Sequence, residues 1–382
     1  MHILIAPDSY KGSLTALEVA EAMEAGAKRV FPEATFDLVP IADGGEGTVD
    51  ALVAATNGEL RETRVKGPMR KPVNAKWGIL GDGKTAVIEM ATASGLPLLA
   101  PDERDALNAC TCGTGELVRA ALDAGVATII LGIGGSATND GGMGFARVLG
   151  AGFFDASGRE LPPGGAALAD LASIDLSGLD PRLADVEIRV ACDVDNPLCG
   201  PRGAAAVFGP QKGASPAQVE QLDAALGVFA KVAAQATGKT AVAETPGAGA
   251  AGGLGAGLLY FTGATLMPGV SLVLEAVNFD ERVRKADLVF TGEGRTDFQT
   301  AYGKAPAGVA RAAKKYSLPV VCLSGGIGKG ADDVLAQGID AVFSIAPGPI
   351  SLQECLDNGE PLLRDAAERV CRLARASAGL KA

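Results

Sequence analysis

Apolar residues along the chain form short runs that alternate with amphipathic stretches, which is the pattern of β-strands followed by α-helices. An apolar run at 2–6 precedes a helical stretch at 15–30, where Thr15 and Glu18 have the spacing of a capping box. A second run at 36–40 again precedes a helical stretch. The chain therefore begins as a βαβα unit, which is typical of a doubly wound parallel sheet.

The pattern changes after these elements and returns to strand–helix alternation near the C-terminus. Short turns and alternating polarity predict antiparallel strands in the region 59–91. We expect further strands at 127–131, 185–191, 287–290, 319–323 and 341–345, and helices at 115–124, 216–237, 303–316, 331–337 and 352–376.

This arrangement predicts an α/β fold in which the two ends of the chain form one domain. A Rossmann-like, doubly wound domain would comprise residues 1–60 and 285–382. A second α/β domain with antiparallel strands would be inserted between them, at 61–284. Among the 382 residues, 48% are hydrophobic but only 4% aromatic, which suits buried parallel strands built from Ala, Val, Ile and Leu.

Charge and the reactive side chains narrow the function further. The net charge of −11 argues against a nucleic-acid or anionic-membrane partner, and we expect no membrane span. Seven cysteines without a CxxC pair indicate reduced thiols of a cytosolic protein and no zinc site. His2 is the only histidine, which excludes Ser-His-Asp triads and histidine-ligated metals. Acid–base chemistry must therefore come from other groups; a homo-oligomer is compatible with the sequence.

The most distinctive stretch is residues 132–144, called the glycine loop below, which follows an apolar run and leads into a helix. A strand, a glycine-rich turn and a helix start form the layout that binds phosphate through backbone amides. A tight turn that needs glycine is the alternative. The residues predicted to hold nucleotide phosphates are Gly134, Gly135, Ser136, Thr138, Asn139 and Asp140.

Acidic residues and a few cations recur directly after the predicted strands. Ligands of doubly wound sheets bind outside the carboxyl ends of the strands, and carboxylates with amides and cations suit Mg²⁺ plus phosphate. Caps and Asx turns are the duller explanation for each acid taken alone. Phosphoryl transfer needs a base for the substrate hydroxyl, and Asp193 and Asp43 are the candidates, Asp193 because partial burial after a strand would raise its pKa.

Two textual motif matches are better explained by other structures. Residues 78–85 match the Walker A pattern, but a strand-like run follows them, so 81–84 favour a hairpin turn. Residues 247–252 match G-x-G-x-x-G, yet no acidic residue follows at the spacing of a dinucleotide site.

Seven motifs lie along the chain at 8–14, 43–48, 132–142, 191–197, 208–213, 246–253 and 291–295. Together they resemble those of the bacterial glycerate kinase type I family. The resemblance implies an ATP- and Mg²⁺-dependent kinase acting on D-glycerate, with phosphorylation at the 2-hydroxyl favoured and the 3-hydroxyl left open. A nicotinamide-dependent hydroxy-acid dehydrogenase and a non-catalytic ligand sensor are the rival functions.

With this resemblance, a role is assigned to each candidate residue. Asp193, Asp43 and Lys11 are predicted to be catalytic, and Asp193 and Glu293 to bind Mg²⁺. The residues predicted to bind the substrate are Asp8, Ser9, Lys11 and Arg295, where the two cations face the glycerate carboxylate or the transferred phosphate.

Overall fold

The computed structural model describes residues 1–377 and is built from two main β-sheets with helices packed against them, plus a two-stranded hairpin. The predicted α/β class is confirmed. The strands within residues 1–377 are β1 (His2–Ile5), β2 (Thr35–Leu38), β3 (Glu59–Lys66), β4 (Pro72–Ile79), β5 (Thr85–Glu89), β6 (Thr128–Gly132), β7 (Gly152–Phe154), β8 (Ser173–Asp175), β9 (Glu187–Ala191), β10 (Thr265–Met267), β11 (Leu288–Thr296), β12 (Val320–Ile327) and β13 (Ala341–Ser344).

Helices alternate with the strands along the chain. None of those in the described part combines the length and apolar character needed to cross a membrane. The α-helices are α1 (Ala16–Lys28), α2 (Thr48–Thr56), α3 (Ala91–Ser94), α4 (Cys112–Asp123), α5 (Met143–Val148), α6 (Ala204–Phe208), α7 (Pro216–Thr237), α8 (Ala250–Phe261), α9 (Gly269–Ala276), α10 (Phe279–Val283), α11 (Ala305–Lys314), α12 (Leu352–Asp357) and α13 (Gly359–Ser377). Short 3₁₀ helices occur at Leu96–Leu98, Pro101–Glu103, Gly165–Asp170, Pro181–Ala184, Pro210–Lys212, Val242–Glu244, Phe298–Tyr302 and Ala331–Gln337.

The chain divides into two compact units, each with its own sheet. The first unit contains Met1–Asp43, Asp50–Asn57 and the chain from Val270 onwards. The second unit contains Gly44–Val49 and Gly58–Gly269.

The first unit is organised by a parallel five-stranded sheet of order β2-β1-β11-β12-β13. After β1 the chain adds β2 on one side, whereas β12 and β13 are added on the other side of β11. The strand order therefore reverses between β1 and β11. In doubly wound sheets a crevice opens at the carboxyl ends of the strands at such a switch point, and ligands bind there.

Helices α1 and α13 pack together and, with the sheet, enclose the core of the first unit. Ile3 and Phe290 from the strands and Met23 from α1 are fully buried in this core, as is Leu363 from α13. The capping box predicted at the start of α1 is confirmed, since the Thr15 hydroxyl accepts from the Glu18 backbone N–H and the Glu18 carboxylate accepts from the Thr15 N–H. The cap begins the helix at the residue where burial starts.

The second unit contains a mixed six-stranded sheet of order β10-β9-β6-β5-β4-β3. Strands β3, β4 and β5 pair antiparallel, whereas β5, β6, β9 and β10 pair in parallel. The antiparallel strands expected in the region 59–91 are thus confirmed. The predicted hairpin turn is also confirmed, because Asp82 accepts from the backbone N–H groups of Lys84 and Thr85 at 2.9 Å between the antiparallel strands β4 and β5.

Three elements near the C-terminal end differ from the sequence prediction. Strand β11 was expected to end at Phe290 and β12 at Leu323, but their pairing continues to Thr296 and Ile327. Glycine is a common turn signal, whereas the glycines there lie in extended, paired backbone. The predicted helix at 331–337 is a 3₁₀ helix, and the expected terminal helix is interrupted at Asn358, which leaves the helical conformation.

Candidate active site

A cavity of about 540 Å³ lies at the β1/β11 switch point of the first unit. Its volume is in the range of ligand pockets, about 300–1,000 Å³. Six residues singled out from the sequence line this cavity together: Asp8, Ser9, Lys11, Asp43, Glu293 and Arg295. Its other lining residues are Tyr10, Ser13, Gly294, Lys304, Gly325, Gly326, Ile327, Ile345, Leu352, Cys355 and Leu356.

Asp8 is the most strongly perturbed carboxyl group in this cavity. It follows β1 directly and is only 9% exposed. Burial raises the pKa of Asp8 to about 7, and the nearby charges of Asp43 and Glu293 act in the same direction. One oxygen accepts from the Ser9 backbone N–H at 2.6 Å, which partly offsets the effect of burial. Near neutral pH this side chain can therefore accept or release a proton.

Glu293 is held by two partners that the sequence analysis did not select. It lies in the extended part of β11, opposite Ser324 of β12, and is buried. The Thr300 hydroxyl donates to Glu293 Oε1 at 2.5 Å, and Lys304 Nζ lies 3.5 Å from Oε2. Burial raises the pKa of Glu293, although both partners oppose this shift.

Three cationic side chains face the same cavity: Lys11, Arg295 and Lys304. Lys11 is exposed, and Arg295 is largely exposed while its Nε lies 3.4 Å from an Asp297 oxygen. Lys304 occupies the N-cap position of α11, just before the proline of the first turn. Because small polar residues are preferred at N-caps, a lysine there was a signal that the sequence analysis missed.

Asp193 and the glycine loop belong to the second unit. Asp193 follows β9, and its Oδ1 accepts from the Gly269 N–H at 2.9 Å. The partial burial expected for Asp193 is not found, because the residue is exposed.

The buried carboxylate of Asp140 organises the glycine loop from within. It accepts from the backbone N–H groups of Gly142 and Gly144 at 3.1 Å, and from the backbone and hydroxyl of Thr111. These amides lie at the start of α5, which is where the phosphate interpretation needs free donors. Of the predicted residues, Gly134 and Gly135 are exposed.

Lys212 supports the same loop and is not among the site residues predicted from the sequence, although it lies in the motif at 208–213. Its buried Nζ donates to the Thr138 carbonyl at 2.6 Å. Burial lowers the pKa of Lys212 to about 7, while the Asp140 charge opposes that shift. Thr138 and Asn139 are fully buried. The contacts of Asp140 and Lys212 therefore fix part of the loop, whereas the polar side-chain atoms of Thr138 and Asn139 have no hydrogen-bond partner among the described residues.

No cysteine forms a disulfide within residues 1–377. All seven are free thiols, and four of them are buried: Cys110, Cys112, Cys322 and Cys371.

Comparisons with known proteins agree with the fold. The sequence profile of the glycerate kinase family matches residues 3–375. A Bacillus subtilis (strain 168) protein named "Glycerate kinase" is 55% identical over 375 residues, covering 98% of this chain and 96% of the relative. An Escherichia coli (strain K12) protein named "Glycerate 2-kinase" is 52% identical, with the same coverage.

A solved structure has the same fold over its full length. It is described as "putative glycerate kinase 2 from Salmonella typhimurium LT2", with a TM-score of 0.92, 49% sequence identity and complete coverage of both chains. With the profile match and the relatives, this similarity shows that the chain belongs to the glycerate kinase family.

Proposed function

We propose that this protein transfers the γ-phosphoryl group of ATP to the 2-hydroxyl of D-glycerate, giving 2-phospho-D-glycerate and ADP. Membership of the glycerate kinase family supports the reaction class. The name of the E. coli relative, glycerate 2-kinase, favours the 2-position. The observation that carries the proposal in this chain is the cluster of perturbed carboxylates and cations in the β1/β11 cavity.

Asp8 is our proposed general base. As the bond between the γ-phosphorus and its bridging oxygen breaks, the 2-hydroxyl oxygen forms the new bond to phosphorus and its proton passes to Asp8. A base is most effective when its pKa lies near the working pH, and burial brings the pKa of Asp8 to about 7. This proposal moves the base from Asp193, whose side chain is exposed.

Lys11, Arg295 and Lys304 are proposed to balance the negative charge of the transferred group. Phosphoryl transfer is catalysed mainly by positioning and by charge stabilisation. The protein carries a net charge of −11, so an anionic substrate depends on local cations. Three of them line this one cavity.

The carboxylates of the cavity also suit Mg²⁺. No group of three or more metal-ligating side chains is found within residues 1–377, but Mg²⁺ commonly needs only one or two carboxylates together with substrate phosphates and waters. Asp43 and Glu293 meet that requirement, and we propose that they hold the ion. When bound, Mg²⁺ would neutralise phosphate charge.

The predicted residues of the second unit are proposed separately, with their own tests. As an alternative base and metal ligand, Asp193 stays a prediction; near wild-type turnover of Asp193→Asn, with unchanged Mg²⁺ dependence, would remove it. Gly134, Gly135 and Ser136 stay predicted nucleotide contacts. For Thr138, Asn139 and Asp140, burial favours a supporting role in the loop.

The reaction is tested by measuring ADP release from ATP–Mg²⁺ with D-glycerate, with L-glycerate and water as controls. We expect release that depends on the D-isomer. Binding of NADH without ADP release would instead favour a dehydrogenase, and ATP binding without turnover would favour a sensor.

A further inference from the structure

Four aliphatic side chains of the β1/β11 cavity have no part in the proposed phosphoryl transfer. These side chains, called the apolar wall below, are Ile327 at the end of β12, Ile345 just after β13, and Leu352 and Leu356 of α12. The same cavity carries Lys11, Arg295 and Lys304. A single cavity thus offers aliphatic contact surface as well as positive charge.

Two of these aliphatic side chains are strongly exposed. Leu352 is 76% exposed and Ile327 is 52% exposed. Exposed apolar side chains that line a polar cavity commonly mark a ligand contact. D-Glycerate carries an oxygen on each carbon and is far smaller than this cavity, so it would leave these side chains uncovered.

The apolar wall is tied to the loop that carries Lys11. The Ser13 hydroxyl donates to the Leu356 carbonyl at 2.7 Å, and the Leu356 side chain approaches Gly12. Helix α12 is itself fixed by a capping box between Ser351 and Glu354. The wall and the cation are therefore held by one connected piece of structure.

We propose that the purine ring of ATP packs against Ile327, Leu352 and Leu356, with its phosphates towards Lys11, Arg295 and Lys304. This inference rests on the proposed function for the identity of the nucleotide. A purine is flat and apolar on both faces, so it matches the aliphatic side chains, whereas the phosphates match the cations. The position also agrees with the β1/β11 switch point of the sheet.

This placement is an alternative to the position that the sequence predicts for the nucleotide phosphates. The sequence assigned them to the glycine loop, but Asp140 already accepts from the Gly142 and Gly144 amides. The glycine loop contains no Lys or Arg. Three cationic side chains, by contrast, line the β1/β11 cavity.

The test is calorimetric titration of the full-length double variant Ile327→Ser/Leu352→Ser with Mg²⁺–ATP and with Mg²⁺–tripolyphosphate. Both side chains are exposed, so the fold should be retained. Losing their contacts with the purine should weaken ATP binding about tenfold or more, equivalent to about 1.4 kcal/mol. Binding of tripolyphosphate, which has no base, should stay within twofold.

Leu335→Ser is the matched control, because Leu335 is exposed in the first unit but does not line the cavity. It should leave both affinities unchanged. Unchanged ATP affinity in the double variant, or an equal loss for tripolyphosphate, would overturn the purine site. ADP release by the wild-type protein is a separate readout: its absence would remove the proposed reaction, while selective loss of ATP affinity would still support the purine site.

Discussion

The Asp8 side chain is buried and lies directly after β1. The carboxylates of Asp43 and Glu293 are close enough to raise its pKa further. Its raised pKa means that the folded protein holds a proton that the unfolded chain releases between about pH 4 and pH 7. Stability therefore falls as pH rises through this window, and the full penalty remains above pH 7. In the folded protein Asp8 is ionised only above about pH 7. Activity that depends on Asp8 as the base should therefore rise through about pH 7 and then level.

Asp8→Asn should separate these two effects. Loss of the base should lower kcat by about 10²- to 10⁴-fold, and removal of a buried charge should raise the free energy of unfolding more at pH 8 than at pH 5. Steady-state kinetics and urea unfolding at the two pH values measure both. Asp332→Asn, at an exposed position of the same unit, should change neither. An active variant, or one without the pH-dependent gain, would argue against Asp8 as the base.

Among the cations of the cavity, Lys304 is the one that lies 3.5 Å from the buried carboxylate of Glu293. Lys304→Met should lower kcat/KM for phosphoryl transfer by about 10²-fold, because one charge facing the transferred group is lost, and Lys304→Arg should recover part of it. Lys329→Met provides the control at an exposed lysine that does not line the cavity. If Lys304→Met kept full activity with an unaltered pH profile, Lys304 would have no role in the reaction.

At the scale of elements, β11 and β12 explain why the site was only partly predictable. Sequence patterns predicted the strands, and Glu293 and Arg295, which were selected after β11, line the cavity. The extended pairing of Glu293 with Ser324 was missed, because glycine is as common in turns as at close backbone approaches. Partners such as Thr300 and Lys304, and the burial of Asp8, arise from segments distant in sequence. No local pattern reports such contacts.

Helix α8 contains a second tertiary constraint, at the stretch that matched G-x-G-x-x-G. Gly252 interrupts the helix with φ +67°, and a Cβ atom there would lie 1.9 Å from the Thr138 carbonyl oxygen. Gly252→Ala should therefore lower the free energy of unfolding by about 2–5 kcal/mol, as measured by urea unfolding. Gly263→Ala is the control, since a Cβ there meets nothing within 4 Å, and should cost less than about 1 kcal/mol. Equal stability of the two variants would contradict the close packing.

At the scale of the whole molecule, the sequence correctly indicated an α/β protein with one purely parallel and one mixed set of strands. These features follow from local alternation and from the length of the apolar runs. It could not decide which strand ends bind which ligand, because β1, β2, β11 and β12 lie in one sheet while β6 and β9 lie in the other. Side-chain type after a strand does not reveal the sheet to which the strand belongs.

Hydrogen exchange can locate the nucleotide across the entire chain. Saturating Mg²⁺–ATP should slow amide exchange in the segments 8–14, 293–296 and 352–357 of the first unit, because bound ligand suppresses local opening. Mg²⁺–tripolyphosphate should protect the first two segments and affect α12 less. Protection confined to the glycine loop would instead return the nucleotide phosphates to the second unit.

The identity of the product tests the proposed reaction most directly. Purified protein should be incubated with ATP, Mg²⁺ and D-glycerate, and the products examined by phosphorus NMR with proton coupling. Phosphate on the 2-oxygen couples to a single proton and gives a doublet, whereas phosphate on the 3-oxygen couples to two protons. We predict one equivalent of ADP and the doublet of 2-phospho-D-glycerate. The signal of 3-phosphoglycerate would contradict the proposed position of attack, and the absence of any phosphorylated glycerate would contradict the proposed function.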